Sequence, residues 1–264
     1  MSAAPVICLH GFPEQPSAFD SVASSLRAAG FDDVHVPSQR GYDPARRPVG
    51  RSSYRTEELA TDVLRYADAN GIDRFHLVGH DWGAILAWWL AANVPSRLLT
   101  MTSLAVPHPK AMGAVALRSN QLLKSYYVGL FQIPGLPERA LLSGGGRRFR
   151  DALSSSGLAE ARADEYVRAM SEPGALTAAI SWYRGASIRM LLTLPDVVDV
   201  PVLYVWGSDD LALSRAAAEA TTRYVRSRYR FLPLEGASHW LPQEHSELFV
   251  PALVEHLQAA DGAT

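Results

Sequence analysis

The sequence predicts an α/β fold in which a mainly parallel sheet of about six strands carries helices on both faces and is interrupted once by a helical insertion. Two observations on the 264-residue chain predict it. Short apolar runs alternate with segments of helical spacing up to about residue 105 and again after about residue 200. Between them, helical patches are separated by breakers such as SGGG and SEPG, and no run resembles a strand.

The apolar runs are predicted as strands because each is short and ends in loop-forming residues. They comprise residues 6–9, 34–36, 75–78, 98–105, 201–206 and 229–233. Helical spacing predicts helices at residues 17–29, 54–70, 84–93 and 246–259, with another from Ser214. We therefore expect a core formed by residues 1–109 and 195–264, with residues 110–194 as an inserted helical cap.

Composition places the chain among globular proteins and argues against several partners. Hydrophobic residues make up 48% and the net charge is -2, so no basic surface is expected for nucleic acid or an anionic membrane. The N-terminus lacks signal-peptide features, and no apolar stretch approaches the roughly 20 residues of a membrane span. Cys8 is the single cysteine, which excludes an intramolecular disulfide. We expect a cytoplasmic protein that acts on a small molecule; its oligomeric state is open, with a homodimer as one option.

Polar residues directly after the predicted strands are the candidates for a site, because ligands bind beyond the carboxyl ends of parallel strands. These candidates are residues 10–13, Asp81, the pair Asp209 and Asp210, and residues 238–240.

Asp81 is the strongest of them. It lies in G-x-D-x-G between a predicted strand and an apolar helix, which is the context of a nucleophile elbow. The alternative is an ordinary helix N-cap aspartate. A carboxylate is already ionised at neutral pH, and its attack on an sp³ carbon gives an ester that water can hydrolyse. An aspartate here therefore favours alkyl-carbon electrophiles, such as epoxides or alkyl halides, over esters and amides.

A base for this water is expected at His239, which follows the last predicted strand. The chain has eight histidines, so a structural or exposed histidine is the alternative. The order nucleophile, acid, histidine along the chain favours His239. An acid should orient its imidazole. Asp209 and Asp210 both follow the preceding strand, and the residues alone leave that choice open.

The segment HGFP, residues 10–13, follows the first strand and is interpreted as an oxyanion hole. The backbone N–H groups of Phe12 and Trp82 would stabilise the oxyanion that forms when water attacks the ester. The alternative is an ordinary Gly-Pro loop. An apolar substrate pocket is expected to be lined by His10, Pro13, Trp182 and Trp240.

The segments HGFPE, QRGYDP, GHDWGA, VPHP, GSDD and GASHW occur in this order and together resemble the epoxide hydrolases of the α/β-hydrolase superfamily. The resemblance covers nearly the whole chain. It implies an α/β-hydrolase fold with a cap, the hydrolysis of an apolar epoxide to a vicinal diol, and no metal or organic cofactor. It also implies that Asp210 is the acid, since the family's acid usually follows G-x-x-D. The sequence itself shows no clustered metal-ligand spacing and no G-x-G-x-x-G after a strand.

The resemblance further implies two cap tyrosines that hydrogen-bond the epoxide oxygen and protonate it as the ring opens. One is Tyr183, in the W-Y-R segment. The other is Tyr127, four residues before the FQIPG stretch, with Tyr126 as its immediate rival. Taken alone, each tyrosine is more often a packing residue. The chemistry is reasonable, because a phenol with a pKa of about 10 can donate toward a basic alkoxide without being ionised first.

The alternatives are two neighbouring families and a non-catalytic protein. Haloalkane dehalogenases share the Asp-Trp elbow but tend to have Asn where this chain has Phe12. Fluoroacetate dehalogenases usually have Arg where it has Trp82, so both departures favour an epoxide. A ligand-binding protein on the same fold would have no need of the intact acid–base set. Relatives usually carry two more strands before the His-Gly strand, and we expect their absence to affect the sheet edge or oligomerisation more than the site.

Overall fold

A computed structural model describes residues 3–116, 126–186, 194 and 197–262, with the side chain of Tyr126 outside the description. Six strands form one parallel sheet in the order β2-β1-β3-β4-β5-β6. They are β1 (Val6–Leu9), β2 (Val34–His35), β3 (Phe75–His80), β4 (Leu98–Leu104), β5 (Val202–Gly207) and β6 (Tyr229–Leu234). The predicted fold class, a parallel α/β sheet of about six strands, is confirmed.

The unbroken apolar runs of the sequence correspond to strands in the middle of the sheet. Strands β1, β3 and β5 are buried along their whole length, as expected where helices cover both faces. The edge strand β6 is only partly buried. In a parallel sheet, the carboxyl ends of all strands lie on the same side. The polar residues that follow the central strands, which are the candidate site residues, therefore converge there.

Helices cover the sheet on two sides. They are α1 (Asp20–Ala28), α2 (Thr56–Ala69), α3 (Trp82–Asn93), α9 (Arg215–Ala220), α10 (Leu241–Glu244) and α11 (Ser246–Asp261). The chain leaves β1 toward β2 and then returns past β1 to β3. Because such crossovers are right-handed, α1 and α2 lie on opposite faces. Helix α11 packs against α1, and α3 packs against α2.

Between β4 and β5, the described residues form a block of helices above this edge. They are α4 (Pro109–Val115), α5 (Tyr126–Phe131), α6 (Leu136–Ser155), α7 (Glu160–Met170) and α8 (Ala175–Gly185). The SGGG breaker interrupts α6, since the glycines at 144–146 have positive φ and separate two helical halves. Residues 117–125, 187–193 and 195–196 of the expected cap lie outside the described residues.

Helix α3 is apolar because the protein buries it. Eight of its twelve residues are buried, and it contacts β1, β3 and β4. In the described ranges, no helix is both long and apolar enough to cross a membrane.

Element bounds differ from the prediction for local reasons. The predicted helices at 17–29 and 54–70 each begin as a separate 3-10 turn, at Pro16–Phe19 and Arg51–Tyr54. Strand β3 runs two residues beyond its predicted end, because His80 still pairs with Leu104 of β4. Asp81 therefore follows the strand directly.

Candidate active site

Asp81 occupies the sharp turn between β3 and α3. Its backbone has φ 50° and ψ −117°, a strained conformation for a residue with a Cβ and one that proteins retain mainly at functional sites. The turn also needs close backbone contact. A Cβ on Gly83 would overlap the carbonyl group of Leu9 in β1. This is the geometry expected of a nucleophile elbow.

The Asp81 carboxylate does not cap its own helix. Asp81 is the N-cap residue of α3, yet its side chain makes no capping hydrogen bond. Its Oδ1 instead accepts the N–H of Phe12 at 2.7 Å, and its Oδ2 lies 3.7 Å from His239 Nε2. The N-cap alternative does not account for this arrangement, because the carboxylate faces an imidazole and the loop after β1.

The structure places Asp210, and not Asp209, beside His239. Asp210 Oδ2 lies 2.7 Å from His239 Nδ1, and Asp210 is almost completely buried. Its Oδ1 accepts two backbone N–H groups of the following loop, at 2.7 and 2.9 Å. Asp209 is exposed and accepts a hydrogen bond from Ser208. With a carboxylate on Nδ1, the ring carries its proton there and presents Nε2 to Asp81.

These groups stabilise one another's charges. Burial alone lowers the pKa of His239, but the carboxylates of Asp210 and Asp81 outweigh it and raise that pKa well above its ordinary value. Burial raises the pKa of Asp81, yet the favourable interaction of its carboxylate with His239 outweighs burial and lowers that pKa below its ordinary value. Asp81 is therefore ionised at neutral pH, as an attacking carboxylate must be.

Phe12, in the loop after β1, contacts the Asp81 carboxyl group, and Trp82 directly follows Asp81 in the chain. The Phe12 N–H already donates to Asp81 Oδ1. Trp82 is the first residue of α3, where N–H groups have no acceptor within the helix. A Cβ on Gly11 would overlap the Asp81 side chain, so the loop reaches this position only with glycine. An oxyanion forming at Asp81 Oδ1 would lie beside the Phe12 N–H.

The two cap tyrosines lie next to this pair. The Tyr183 ring packs edge-on against Trp82 and Phe12, with ring centroids 4.9 and 5.4 Å apart. The Tyr127 ring lies 5.9 Å from that of Tyr183. Burial and then the Asp81 carboxylate raise the pKa of Tyr183 well above its ordinary value, so its phenol stays protonated. The rival, Tyr126, has its side chain outside the described residues.

His10 and Pro13, which were expected in the pocket, lie in the buried loop after β1. The His10 Nε2 accepts the N–H of Gln39 at 3.3 Å, and its ring packs edge-on against Tyr42. Burial lowers the pKa of His10. Pro13 is buried and follows Phe12 through a cis peptide bond. The contacts of His10 hold the loop that presents the Phe12 N–H.

Trp182 and Trp240 lie on either side of the same region. The Trp182 ring centroid is 6.0 Å from that of Trp82, and its indole N–H donates to the carbonyl of Arg40 at 2.9 Å. The Trp240 ring is 5.5 Å from the His239 ring, and its N–H donates to Ser156 Oγ of the cap at 3.0 Å. Both indoles are buried.

Sequence reasoning missed a buried acid–histidine pair beside the elbow. Glu14 and His80 are both fully buried, and Glu14 Oε1 lies 2.7 Å from His80 Nδ1. The His80 Nε2 lies 2.9 Å from the backbone carbonyl of His239. Gln243 also hydrogen-bonds Glu14. Burial raises the pKa of Glu14, but His80 outweighs it and keeps that pKa below its ordinary value. The HGFPE and GHDWGA segments contain both residues, but only the register that sets β1 beside β3 brings them together.

The site thus combines an ionised carboxylate, an imidazole paired with an acid, the N–H donor of Phe12 and the protonated phenol of Tyr183. Such a set can form an ester on the carboxylate and hydrolyse it. In the described part of the chain, no group of three or more His, Cys, Asp or Glu side chains could hold a metal ion.

Comparisons with known proteins agree with this architecture. A family model described as the alpha/beta hydrolase fold matches residues 4–246. The AB hydrolase superfamily protein YfhM of Bacillus subtilis is 33% identical, over 96% of this chain and 90% of that protein. Epoxide hydrolase 4 of Homo sapiens is 31% identical, over 92% of this chain and 69% of that protein. The crystal structure of an epoxide hydrolase from Vigna radiata matches with a TM-score of 0.80 and 26% identity, over 98% of this chain and 92% of that one. The chain therefore belongs to the epoxide hydrolase family of the α/β-hydrolase superfamily.

Proposed function

We propose that this protein hydrolyses an apolar epoxide to a vicinal diol through an ester on Asp81, without a metal or organic cofactor. The observation that carries the proposal is the direction of the Asp81 carboxylate. It leaves its own helix uncapped and faces His239, with the Tyr183 ring packed on both neighbouring oxyanion residues. An ionised carboxylate, a base and a neutral phenol are the groups that ring opening and ester hydrolysis require.

In the first step, an Asp81 carboxylate oxygen attacks one epoxide carbon and the C–O bond to the ring oxygen breaks. The departing alkoxide takes a proton from the phenol of Tyr183 or Tyr127, and water later restores the phenol. Because burial and the Asp81 charge raise the pKa of Tyr183, this phenol keeps its proton until the more basic alkoxide forms. The product of this step is a hydroxyalkyl ester of Asp81.

In the second step, His239 removes a proton from water as the water attacks the carboxyl carbon of the ester. Asp210 holds the ring and stabilises the imidazolium that forms. The negative charge on the carbonyl oxygen is stabilised by the N–H groups of Phe12 and Trp82. Collapse releases the diol, whose oxygen takes the proton from His239. Asp81 remains as a carboxylic acid and loses its proton to water, which balances the proton that water gave to the phenol and restores the carboxylate. The sum is epoxide plus water to diol.

The halide alternative fits the surroundings of Asp81 less well. A departing halide needs hydrogen-bond donors but no proton. A neutral phenol that can transfer its proton therefore helps a departing alkoxide more than a departing halide. The residue after His-Gly is Phe12, whose ring packs against the rings of Phe131, Phe149 and Tyr183. An aromatic side chain here provides an apolar wall and no side-chain amide for a halide.

The test is to trap the ester. The variant His239→Gln should form it and hydrolyse it slowly, since the base is missing. After incubation with a panel of epoxides, the peptide that contains Asp81 should gain the mass of one epoxide. In the wild-type protein, a single turnover in ¹⁸O-labelled water should place one ¹⁸O atom in the Asp81 carboxyl group.

Asp81→Asn is the matched control, because it keeps the size of the side chain and removes its charge. It should form no ester, and diol formation should fall by about 10⁴-fold or more. Side-by-side assays with alkyl halides test the alternative directly. Halide release without diol formation would show a dehalogenase, and unchanged turnover in Asp81→Asn would show that Asp81 is not the nucleophile.

A further inference from the structure

The guanidinium group of Arg184, directly after Tyr183, is buried in the cap and fully engaged there. It forms a two-pronged ion pair with Glu138 of α6, at 2.7 and 3.0 Å. It also donates to the backbone carbonyls of Phe131 at 2.9 Å and Ile133 at 3.1 Å. The side chains of Arg184 and Glu138 are only 8% and 12% exposed. One side chain of α8 thus ties together the end of α5 and the start of α6.

These contacts control where Tyr127 lies. Tyr127 belongs to α5, which the structure describes over Tyr126–Phe131. In the described part of the chain, α5 packs against α8 and α6. Arg184 bonds the carbonyl of Phe131, the last residue of α5, and the Tyr127 ring packs on Phe131 at 5.8 Å. The placement of α5 relative to α8 is therefore set largely at Arg184.

A second set of bonds fixes Tyr183 on the other side. The side-chain amide of Gln132 donates to the Tyr183 carbonyl at 2.9 Å. Arg51 of the core donates to the Gln132 side chain at 2.7 Å and to the Arg184 carbonyl at 2.9 Å. A Cβ on Gly185 would overlap the carbonyl of Tyr54, so the end of α8 lies directly on the core. Tyr183 is thus anchored to the core, and Tyr127 is anchored to Tyr183.

We propose that the Arg184–Glu138 ion pair is a positioning element for ring opening. It holds the helix that carries Tyr127 at a fixed distance from Tyr183, so that both phenols reach one departing oxygen. The inference rests on the proposed epoxide hydrolysis. Arg184 and Glu138 need not touch the substrate, and they act through the two tyrosines. Ester hydrolysis takes place on the core and does not depend on the distance between the phenols.

Two variants test the pair. Glu138→Gln keeps hydrogen-bonding capacity and removes the charge. The double variant Arg184→Met with Glu138→Leu replaces both partners by apolar groups of similar volume, which buried ion pairs commonly tolerate without loss of stability. Single-turnover mass spectrometry gives separate rates of ester formation and decay, and thermal unfolding gives stability. We expect ester formation to slow by about tenfold or more, while decay changes by less than about twofold.

Asp62→Asn is the matched control. Asp62 forms a two-pronged pair with Arg40, at 2.7 and 2.8 Å and with both side chains 14% exposed, but on the core. This variant should leave both rates unchanged even where its unfolding temperature falls. In a Tyr127→Phe background, Glu138→Gln should slow ester formation much less than it does alone, because the phenol that the ion pair helps to place is gone.

Unchanged ester formation in both pair variants, or an equal slowing of formation and decay, would overturn the positioning role. A wild-type protein that forms no ester from any epoxide would refute the proposed function and the role of the pair with it. If the wild-type protein and the pair variants form the ester at the same rate, the positioning role of the ion pair is refuted and the proposed function stands.

Discussion

The two sides of the site differ in how they hold their reactive groups. On the core, Asp81, Asp210 and His239 follow directly after β strands or lie in the loops beyond them, and they stabilise one another through charge. On the cap, the side chains of Tyr127 and Tyr183 lie on helices, placed by aromatic packing and by bonds from neighbouring residues. In the proposed mechanism, the core carries the charge of the reaction and the cap supplies protons. We expect changes at His239 and Asp210 of the core to affect ester hydrolysis, and changes at the cap tyrosines to affect ring opening alone.

The largest expected difference in reaction rate between core and cap variants comes from Asp210, the acid beside His239. Asp210→Asn should lower the rate of diol formation by about 10³- to 10⁴-fold. It removes the negative charge that stabilises the His239 imidazolium and the carboxylate that orients the ring. The ester should accumulate in this variant. Mass spectrometry of the Asp81 peptide, with steady-state rates of diol formation, measures both effects.

Asp209→Asn is the control for this change, since Asp209 is the neighbouring carboxylate and is exposed. Its rate should stay within about twofold of the wild-type rate, as for most surface substitutions. If both variants lost the same amount of activity, the rate would depend on the total charge of this loop and not on the contact between Asp210 and His239.

A smaller effect, and one confined to ring opening, is expected on the cap. Tyr127→Phe together with Tyr183→Phe should slow ester formation on the order of 10²- to 10³-fold, because the alkoxide loses both proton donors. Decay of the ester should be nearly unchanged. Rapid-quench measurement of the ester over a single turnover separates the two rates.

Tyr54→Phe is the matched control, because Tyr54 is a buried tyrosine outside the group of aromatic rings around Asp81. It should change neither rate. If the double cap variant slowed ester decay as much as ester formation, the assignment of ring opening to the cap tyrosines and of ester hydrolysis to the core would be wrong.

The same contrast explains what the sequence could predict. The strands, the elbow at Asp81 and the position of His239 depend on local signals: apolar runs, small residues at a tight turn and the residues that end a strand. The choice of Asp210 over Asp209 needed the resemblance to a family, because two adjacent carboxylates look alike in sequence. Tyr127 and Tyr183 needed it too, since nothing local distinguishes them from packing tyrosines. The Glu14–His80 pair and the Arg184–Glu138 pair join residues distant along the chain, so they depend on register and helix packing that no local pattern encodes.

The smallest expected effect is that of pH, and it should again separate the two sides. In the resting enzyme, the Asp210 and Asp81 carboxylates raise the pKa of His239 well above its ordinary value. Once Asp81 becomes an ester it carries no charge, so its part of that increase disappears and the pKa of His239 falls. Only the neutral imidazole can accept a proton from water. Below the pKa of His239 in the ester, decay should therefore rise by about tenfold per pH unit and then level off.

Ester formation should be nearly independent of pH over the same range. The pKa of Asp81 lies below its ordinary value and that of Tyr183 well above its own, so neither group changes charge between about pH 6 and pH 8. The ester should consequently accumulate in the wild-type protein at the acidic end of this range and disappear at the alkaline end. Single-turnover mass spectrometry across the range measures both rates. An ester that forms and decays with one shared pH dependence would mean that a single titrating group controls both steps, and the core and the cap would then not act separately.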